Sequence, residues 1–423
     1  MPFLLSLAVL GASLAAEIDS RASAALPQVI AWRRDLHAHP ELSNREERTA
    51  RVVAKALEKM GLEVRTGIAK TGVVGVLRGG KPGPVVALRA DMDALPLTED
   101  TGLPFASKAR ASYGGQEVGV MHACGHDAHT AILLGVADVL SGLRDQLPGS
   151  VLFVFQPAEE GPPPGEEGGA PLMLKEGVFS RERPEAIFAL HTDSEPAAGE
   201  VAVVAGPAMA SSDRLRIVVR GRGTHASAPW RGVDPVPVAA RIVLALEALP
   251  AREVDVRKPS VVSIANIHGG VRYNVIPDEV ELLGTIRTLD PEQQADLHAR
   301  IERTATKIAE SAGASAKVEI GERNPITRND PALVERMRPT LARVAKLVPA
   351  LPRTGAEDFA YFANEAPAMY FWLGVRDPKV PLAETAPNHS PRFLVDETAL
   401  EVGVRALAQL VVDYAESSRS PGP

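Results

Sequence analysis

Short apolar runs that end in acidic residues or histidine constrain the fold of this chain more than any other feature. The runs and the polar residues that follow them are 85–90 with Asp91 and Asp93, 151–155 with Glu159 and Glu160, and 186–190 with His191. Runs without polar alternation are typical of strands covered on both faces, and helical segments such as 131–143 alternate with them. The pattern predicts an α/β fold with a mixed, mostly parallel sheet and helices on both faces. Since ligand sites lie at the carboxyl ends of such strands, these polar residues mark the expected active site.

The length and the order of the patterns predict two domains. A chain of 423 residues is too long for one compact core. Residues 210–322 contain strand and helix patterns in the order βαββαβ, which indicates a ferredoxin-like α+β sandwich. The α/β pattern resumes after this segment. We therefore expect a satellite domain at 210–322, inserted into a catalytic domain formed by residues 17–209 and 323–423.

The composition excludes several classes of protein. A hydrophobic content of 45% and a charged content of 23% are ordinary for a globular enzyme. The formal net charge of -7 and the lack of a basic run argue against a nucleic-acid partner. A single cysteine excludes a disulfide framework within the chain.

The first residues have the character of a signal peptide. Residues 3–16 are apolar and small, no charge precedes Glu17, and Ser13 to Ala16 offer a plausible cleavage point. We therefore expect residues 1–16 to be removed and the protein to be periplasmic or secreted, whereas an uncleaved chain would be cytoplasmic. The segment is too short to span a membrane, and no other stretch approaches that length, so no membrane anchor is expected.

A second local pattern concerns the start of a helix. Ser43 stands three residues before Glu46, the spacing of a capping box, and Gly61 follows as a stop signal. The spacing predicts a helix that opens at Ser43 and ends near Gly61.

Residues 121–130 carry the strongest chemical signal. Three of the ten histidines and the only cysteine fall within them. The Cys124 thiolate and the His126 imidazole can face one metal ion, because Gly125 lets the backbone fold tightly between them. A lone cysteine is more often a small buried hydrophobe. The clustering favours ligation, since buried imidazoles beside a thiol need partners that a metal supplies.

Further candidate ligands come from distant parts of the chain. Glu160 and His191 follow apolar runs, and His389 lies in a Pro-bounded turn at 387–391. With Cys124 and His126 they make five ligands, enough for one or two Zn²⁺-like or Mn²⁺-like ions. Asp91 and Asp93 stand two residues apart at a strand end. They are candidates to support a histidine ligand from behind, or to bind metal themselves.

The pair Glu159–Glu160 suggests the reaction. Adjacent residues at the end of an extended strand point in opposite directions, so one carboxylate can bind a metal while the other faces the substrate. A metal lowers the pKa of its bound water, and a nearby glutamate can take the proton. This division of roles is typical of metal-assisted hydrolysis.

Two other interpretations remain open on the residues alone. Cys124 could be a nucleophile with a nearby histidine as its base, although Glu159, Glu160 and His389 would then have no role. The chain could also be a metal-containing binding protein without catalysis, although such a protein would not need the base Glu159.

Several motifs, in the same order along the chain, resemble one known family. The motifs are 33–42 (RRDLHAHPEL), 87–96 (ALRADMDALP), 121–130 (MHACGHDAHT), 155–160 (FQPAEE), 274–278 (NVIPD), 284–287 (GTIR) and 355–359 (GAEDF). They look like the signatures of the M20 metallopeptidases, in the amidohydrolase branch. The resemblance extends from about Ile30 to Ala408. That branch contains hippurate hydrolases, N-acyl-amino-acid hydrolases and the plant auxin-conjugate hydrolases.

The resemblance implies a role for each matching residue. Cys124, His126, Glu160, His191 and His389 would bind two divalent metal ions, zinc or manganese. Glu159 would be the general base and later the proton donor to the leaving amine. In the satellite domain, His225 within 223–229 (GTHASAP) would polarise the scissile carbonyl, often from the partner subunit of a homodimer. Asn274 and Arg287 match positions linked to substrate binding.

The expected reaction is cleavage of the amide bond of an N-acyl or N-aroyl amino acid to a carboxylic acid and a free amino acid. The alternative is a carboxypeptidase or dipeptidase on the same scaffold. Trp230 and the Pro-rich loop 161–169 depart from the common pattern of the family and could alter the acyl pocket. The loop directly follows the paired glutamates and could border the site. An equally acceptable interpretation is a plain surface turn.

Overall fold

The computed structural model of the protein describes residues 2–418, without the side chains of 2–13, 322 and 323. Most of the predicted signal peptide, residues 1–16, therefore lies outside the described side chains. The chain divides into two units. The first contains residues 1–206, 329–350 and 361–423, and the second contains 207–328 and 351–360. The predicted satellite limits, 210 and 322, fall inside the longer segment of the second unit.

The helices are α1 (Pro2–Ala38), α2 (Glu47–Lys59), α3 (His126–Ser141), α4 (Gly169–Lys175), α5 (Pro235–Arg252), α6 (Pro291–Ser311), α7 (Pro331–Val344), α8 (Phe359–Ala363) and α9 (Thr398–Ser417). The strands of the first part of the chain are β1 (Glu63–Ile68), β2 (Gly72–Arg78), β3 (Lys81–Asp91), β4 (Arg110–Tyr113), β5 (Gln116–Gly119), β6 (Pro148–Gln156), β7 (Ala186–Ala197), β8 (Glu200–Ala202) and β9 (Gly206–Met209). The later strands are β10 (Ser212–Arg220), β11 (Thr224–His225), β12 (Ser260–Gly269), β13 (Val275–Ile276), β14 (Glu279–Thr288), β15 (Ser315–Asn324), β16 (Thr327–Asn329), β17 (Lys346–Val348) and β18 (Ala368–Arg376).

An eight-stranded mixed sheet forms the centre of the first unit. Its strand order is β1-β2-β6-β3-β7-β18-β8-β17, and the four neighbours β6, β3, β7 and β18 run parallel. These central strands are almost entirely buried, as their unbroken apolar runs require. The predicted α/β class with a mostly parallel sheet is confirmed. Asp91 and Gln156 are the last residues of β3 and β6 and pair with each other.

Helices α1, α3 and α9 pack against one another beside this sheet. Helix α3 is buried over almost its whole length, so its apolar residues contribute to the core on several sides. From Leu14 onward, α1 contributes buried residues that include Ile18 and Val29. Within residues 2–418, no helix combines the length and the hydropathy needed to cross a bilayer.

The second unit has its own four-stranded antiparallel sheet, in the order β12-β14-β10-β15. Helices α5 and α6 connect its strands in the predicted βαββαβ order, and their apolar faces share one core with the sheet. The ferredoxin-like prediction for this segment is confirmed. Strand β12 lies at the edge of the sheet.

The structure corrects the predicted capping box. Helix α2 begins at Glu47, and Glu46 makes no side-chain cap bond. The Ser43 hydroxyl instead donates to Asp93 Oδ2 at 2.7 Å, and Glu46 is fully buried. The spacing suits a capping box, but the Ser43 side chain bonds to Asp93, and the Glu46 side chain bonds mainly to the distant Thr71 and Ala158.

Candidate active site and metal centre

One group of candidate ligands surrounds the Cys124 thiol. Its Sγ lies 3.2 Å from His389 Nε2 and 3.4 Å from His191 Nε2. Glu160 Oε1 lies 3.2 Å from the same nitrogen of His389. Four of the five predicted ligands, from segments far apart in sequence, thus meet at one point.

His126, the fifth predicted ligand, meets the paired glutamates. Ligand atoms of His126, Glu159 and Glu160 lie within 4.8 Å of one another. His126 Nε2 is buried and has no hydrogen-bond partner among residues 2–418. A buried ring nitrogen without a partner is costly, and a metal ion would satisfy it. Glu160 belongs to both groups and connects them.

Glu159 and Glu160 were predicted to lie at the end of an extended strand, but they lie beyond it. Strand β6 ends at Gln156, and Ala158 turns the chain with a φ of 53°. The alternation of side chains along a strand therefore does not set the directions of Glu159 and Glu160. A turn brings both side chains to the same cluster.

Gly125 brings the thiol and the imidazole together at the start of α3. Its φ is 88°, a region that favours glycine, and a Cβ there would lie 2.2 Å from Thr192 Oγ1. The Thr192 hydroxyl occupies this space and donates to the carbonyl oxygen of Cys124 at 3.0 Å. The predicted tight turn at Gly125 is present.

Hydrogen bonds fix which ring nitrogens face the centre. His126 Nδ1 donates to the carbonyl oxygen of Asp93 at 2.9 Å, and His191 Nδ1 donates to the carbonyl oxygen of Thr192 at 2.7 Å. A proton on Nδ1 leaves the lone pair on Nε2, which is the arrangement of a metal-binding histidine.

Asp93 supports the site from behind. Its Oδ1 lies 3.3 Å from His126 Nδ1 and accepts the backbone N–H of Glu159 at 3.1 Å. Its Oδ2 accepts the backbone N–H of Glu160 at 3.0 Å. One fully buried carboxylate thus orients a histidine and both glutamates.

Asp91 supports a histidine that the sequence argument left out. Asp91 Oδ1 accepts from His129 Nδ1 at 2.6 Å, and its Oδ2 accepts from Arg89 at 2.7 Å. His129 Nε2 accepts the backbone N–H of Thr192 at 2.7 Å. Both ring nitrogens of His129 are therefore used, although candidate ligand atoms of Asp91, His126, His129 and His191 also lie within 4.8 Å of one another. The spacing of His126 and His129, three residues apart on one helix, is the sequence signal that could have indicated a role for His129.

The charges of the cluster favour a bound cation. Burial lowers the pKa of His126, but the neighbouring Asp91, Cys124 and Asp93 outweigh burial and raise it well above its usual value. Burial and Glu160 raise the pKa of the Cys124 thiol, the opposite of what an activated nucleophile needs. A divalent cation would reverse this balance, because it stabilises a thiolate and a neutral imidazole together. The residues fit a metal centre.

The turn that carries His389 is held by a neighbour that sequence reasoning missed. Asn388 Nδ2 donates to the carbonyl oxygens of Thr192 at 3.0 Å and Cys124 at 3.3 Å. His389 has a φ of 66°, and its N–H donates to the carbonyl oxygen of Ala123 at 2.8 Å. An Asn beside a His gives no sequence signal for this role.

His122, the remaining histidine of the central stretch, is not part of either ligand group. It is buried, and neither ring nitrogen has a hydrogen-bond partner among the described residues. Burial lowers its pKa to about 4, so the ring is neutral.

Three predicted residues belong to the second unit. His225 is exposed on β11, and its Nδ1 accepts the backbone N–H of Ser227 at 3.1 Å. The side-chain Oδ1 of Asn274 is buried and accepts no hydrogen bond from the described part of the chain. The Asn274 carbonyl oxygen accepts from Ala226, which places Asn274 beside the His225 segment, whereas Arg287 lies on β14 opposite Val261.

Comparison with known proteins places the chain in a family. The sequence profile of the family described as Peptidase family M20/M25/M40 matches residues 87–413. Thermostable carboxypeptidase 2 of Saccharolobus solfataricus is 41% identical over 389 residues, 92% of this chain and 95% of that protein. N-acetylcysteine deacetylase of Bacillus subtilis is 38% identical over 392 residues, 92% and 97% of the two chains. The solved structure of the Bacillus subtilis YxeP protein, described as a dinuclear metal binding peptidase from the M20 family, is 36% identical with a TM-score of 0.80, covering 93% of this chain and 99% of that one.

The chain belongs to the peptidase family M20/M25/M40. The resemblance inferred from the motifs is confirmed, and the protein is a metal-dependent hydrolase of amide bonds. Its gathered ligand groups fit the predicted pair of divalent metal ions.

Proposed function

We propose that the protein cleaves the amide bond of N-acyl or N-aroyl amino acids and releases a carboxylic acid and a free amino acid. The observation that carries the proposal is the meeting of five metal-ligand side chains with Glu159, a carboxylate that can move a proton. N-acetylcysteine deacetylase, a relative of 38% identity over nearly the whole chain, is consistent with this class of substrate.

Glu159 is assigned to proton transfer. Its backbone is fixed by Asp93, and its Oε2 lies 4.0 Å from His126 Nε2, beside the ligand cluster. When bound, the two metal ions supply Lewis acidity and a water molecule of lowered pKa. Glu159 accepts the proton of the attacking water and returns it to the nitrogen of the leaving amine.

Three residues of the second unit are assigned to the substrate. On the basis of the family resemblance, His225 is assigned to the oxyanion that develops from the scissile carbonyl, and Asn274 and Arg287 are assigned to substrate binding. The buried Oδ1 of Asn274 supports a ligand-binding role, because a buried acceptor without a partner is costly.

A small cavity beside Glu160 is assigned to the acyl group. It has a volume of about 150 Å³. Its wall has an apolar part with Leu42, Leu95 and Pro163, and a polar part with Arg45 and Glu160. The Pro-rich loop thus contributes to its border. The apolar part of the wall can accept a hydrocarbon chain or ring, and a cavity of roughly this size can hold benzene.

A carboxypeptidase or dipeptidase activity is the second candidate. Thermostable carboxypeptidase 2, at 41% identity, supports it. Both reactions hydrolyse an amide next to a free carboxylate, so the same catalytic residues serve either one.

The metal ions are proposed to be Zn²⁺ or Mn²⁺. One thiolate, three imidazoles and one carboxylate form a donor set of borderline softness, which suits both ions. Elemental analysis of the purified protein would distinguish them.

The protein is further proposed to form a homodimer through β12. This strand lies at the edge of its sheet, and Ile267 on it is 58% exposed. An edge strand with exposed apolar side chains can pair with a second copy of itself.

Export after removal of residues 1–16 is also proposed, on the basis of the sequence alone. Cleavage would remove the buried Leu14 and the carbonyl oxygen of Ala15, which accepts from Gln409 at 2.9 Å. Ile18 and Val29 would continue to pack in the core. Sequencing of the mature N-terminus tests the proposal, and an intact Met1 in exported material would refute it.

Hydrolysis of a substrate panel tests the proposed activity. The panel contains N-acetyl, N-benzoyl and longer N-acyl amino acids together with dipeptides. We expect the N-acyl amino acids to be the better substrates, with higher kcat/KM than the dipeptides. Preference for dipeptides would favour the second candidate, and turnover of neither class would refute both.

Replacement of Glu159 by Gln tests the assigned base. The amide keeps the size of the side chain but cannot take a proton. We expect Glu159→Gln to bind the normal amount of metal and to lose at least about 100-fold in kcat. Full turnover in this variant would show that another group moves the proton.

A further inference from the structure

Glu46 is a fully buried acid that accepts three hydrogen bonds close to the site. Its Oε1 accepts the backbone N–H of Asn44 at 3.0 Å and that of Ala158 at 2.9 Å. Its Oε2 accepts from the Thr71 hydroxyl at 2.6 Å. Nothing in the proposed reaction requires an acid here, so its burial calls for another explanation.

Both backbone partners of Glu46 Oε1 have left-handed conformations, which asparagine tolerates but which are strained for alanine. Asn44 has a φ of 61° and Ala158 a φ of 53°, in the left-handed region that side-chain-bearing residues rarely adopt. Such a conformation persists only when the surroundings fix it. One carboxylate oxygen fixes both residues.

Ala158 directly precedes the two functional glutamates. The consecutive N–H groups of Ala158, Glu159 and Glu160 donate to Glu46 Oε1, Asp93 Oδ1 and Asp93 Oδ2. Two buried carboxylates therefore hold the backbone of the whole turn. Burial, with the charge of Asp93, raises the pKa of Glu46 to about 7 despite the donors around it, which shows how unfavourable its position is.

We propose that Glu46 is a positioning residue: its carboxylate fixes the left-handed turn at Ala158 and thereby directs Glu159 and Glu160 toward the metal centre. The effect on turnover rests on the proposed function, whereas the effect on metal binding through Glu160 does not.

The first test combines Glu46→Ala with Ala158→Gly. Loss of the carboxylate releases the turn, and we expect kcat to fall about 100-fold with little change in KM, because misplaced catalytic groups affect the reacting step. Glycine adopts a positive φ without strain. Adding Ala158→Gly to the same chain should therefore raise kcat at least about ten-fold above that of Glu46→Ala alone. A merely structural core role for Glu46 predicts no restoration.

Two further variants complete the series. Glu46→Gln keeps a carbonyl oxygen that can accept both N–H groups, so it should retain most of the activity. Glu47→Ala is the matched control, since Glu47 is the next residue and its side chain is 73% exposed. It should behave like the wild type in both assays.

Titration with Co²⁺ gives a readout that does not depend on turnover. Thiolate-to-cobalt absorption reports the cation at Cys124, and we expect Glu46→Ala to bind Co²⁺ more weakly than the wild type, with recovery in the double variant. If the wild type hydrolysed no amide, the proposed function would fail, yet this titration would still decide the role of Glu46.

Should Glu46→Ala fail to fold, Thr71→Val replaces it. That variant removes the donor to Oε2 at nearly constant volume and should lower kcat and Co²⁺ affinity in the same direction, again with recovery by Ala158→Gly. Unchanged kcat and Co²⁺ affinity in the folded variants, or losses that Ala158→Gly does not reduce, would overturn the proposal.

Discussion

The pKa of His37 shows how strongly buried charges near the site affect a single residue. Its Nδ1 lies 2.9 Å from Asp127 Oδ2 and its Nε2 lies 3.1 Å from Glu99 Oε1, while Arg33 also donates to Asp127. Burial lowers the pKa of His37, but the two carboxylates outweigh burial and raise it to about 9. The imidazolium ties α1 to the first turn of α3, next to the candidate ligand His126.

The raised pKa predicts a dependence of stability on pH. The charged form of His37 stabilises the folded state fully below pH 6.5, and this contribution disappears as the pH rises through about 9. The difference between the two pKa values corresponds to about 3 kcal/mol, as an order of magnitude. Between pH 6 and pH 10, the free energy of unfolding should therefore fall more steeply with rising pH in the wild type than in His37→Gln. His39→Gln, at an exposed position, is the control, and parallel curves for wild type and His37→Gln would contradict the prediction.

Residue by residue, the sequence identified the side chains that cluster at the candidate site better than it identified the residues that support them. Cys124 and His126 follow from the clustering of histidines around the only cysteine, and Glu160 and His191 follow from the rule that polar residues gather where apolar strands of a parallel sheet end. The rule does not give hydrogen-bond partners. Asp91 therefore proves to support His129, and Ser43 binds Asp93 across 50 residues of sequence, which no local spacing could indicate.

At the scale of elements, the junction before α3 is the most sensitive point. Gly125 has a φ of 88°, and a Cβ there would overlap Thr192 Oγ1, whereas Gly199 has a φ of 90° with no atom within 4 Å of its Cβ position. Gly125→Ala and Gly199→Ala therefore share the backbone strain, and only the first has the steric overlap.

Comparison of these two variants isolates the effect of close packing. We expect Gly125→Ala to lower the free energy of unfolding by about 1–3 kcal/mol more than Gly199→Ala, and to reduce the metal content as well. Urea unfolding and elemental analysis provide the measurements. Equal losses in the two variants would show that the contact with Thr192 has little importance.

Element types were predicted more reliably than their ends. The buried strands β3, β6 and β7 were recognised from apolar runs, yet β7 continues past His191 to Ala197, because its backbone stays paired with β18 beyond the apolar run. The turn at Ala158 was missed, since a positive φ at an alanine depends on the distant carboxylate of Glu46.

At the scale of the whole molecule, the proposed dimer makes a direct prediction. The wild type should have about twice the mass of one chain by light scattering. Ile267→Lys places a charge on the exposed edge of β12 and should shift the equilibrium toward monomer. Val256→Lys, at a position that is 86% exposed outside the strands, is the control. A wild type that stays monomeric over a wide concentration range would refute the dimer.

The order βαββαβ predicted the fold of the second unit because its helices and most of its strands bury one apolar face in a shared core. No comparable pattern marks the segment 351–360, which joins that unit from a distant part of the chain. Its membership depends on tertiary contacts alone, so periodicity could not reveal it.

Metal titration tests whether the hydrolase needs two bound metal ions. The protein is freed of metal with a chelator, and Zn²⁺, Mn²⁺ or Co²⁺ is then restored in measured equivalents while hydrolysis of an N-acyl amino acid is followed. We predict no turnover in the chelated protein and a rise in activity that levels off at two equivalents per chain. Full turnover in protein that contains no metal by elemental analysis would contradict a requirement for metal. If that turnover were lost on alkylation of Cys124, the result would favour a cysteine nucleophile.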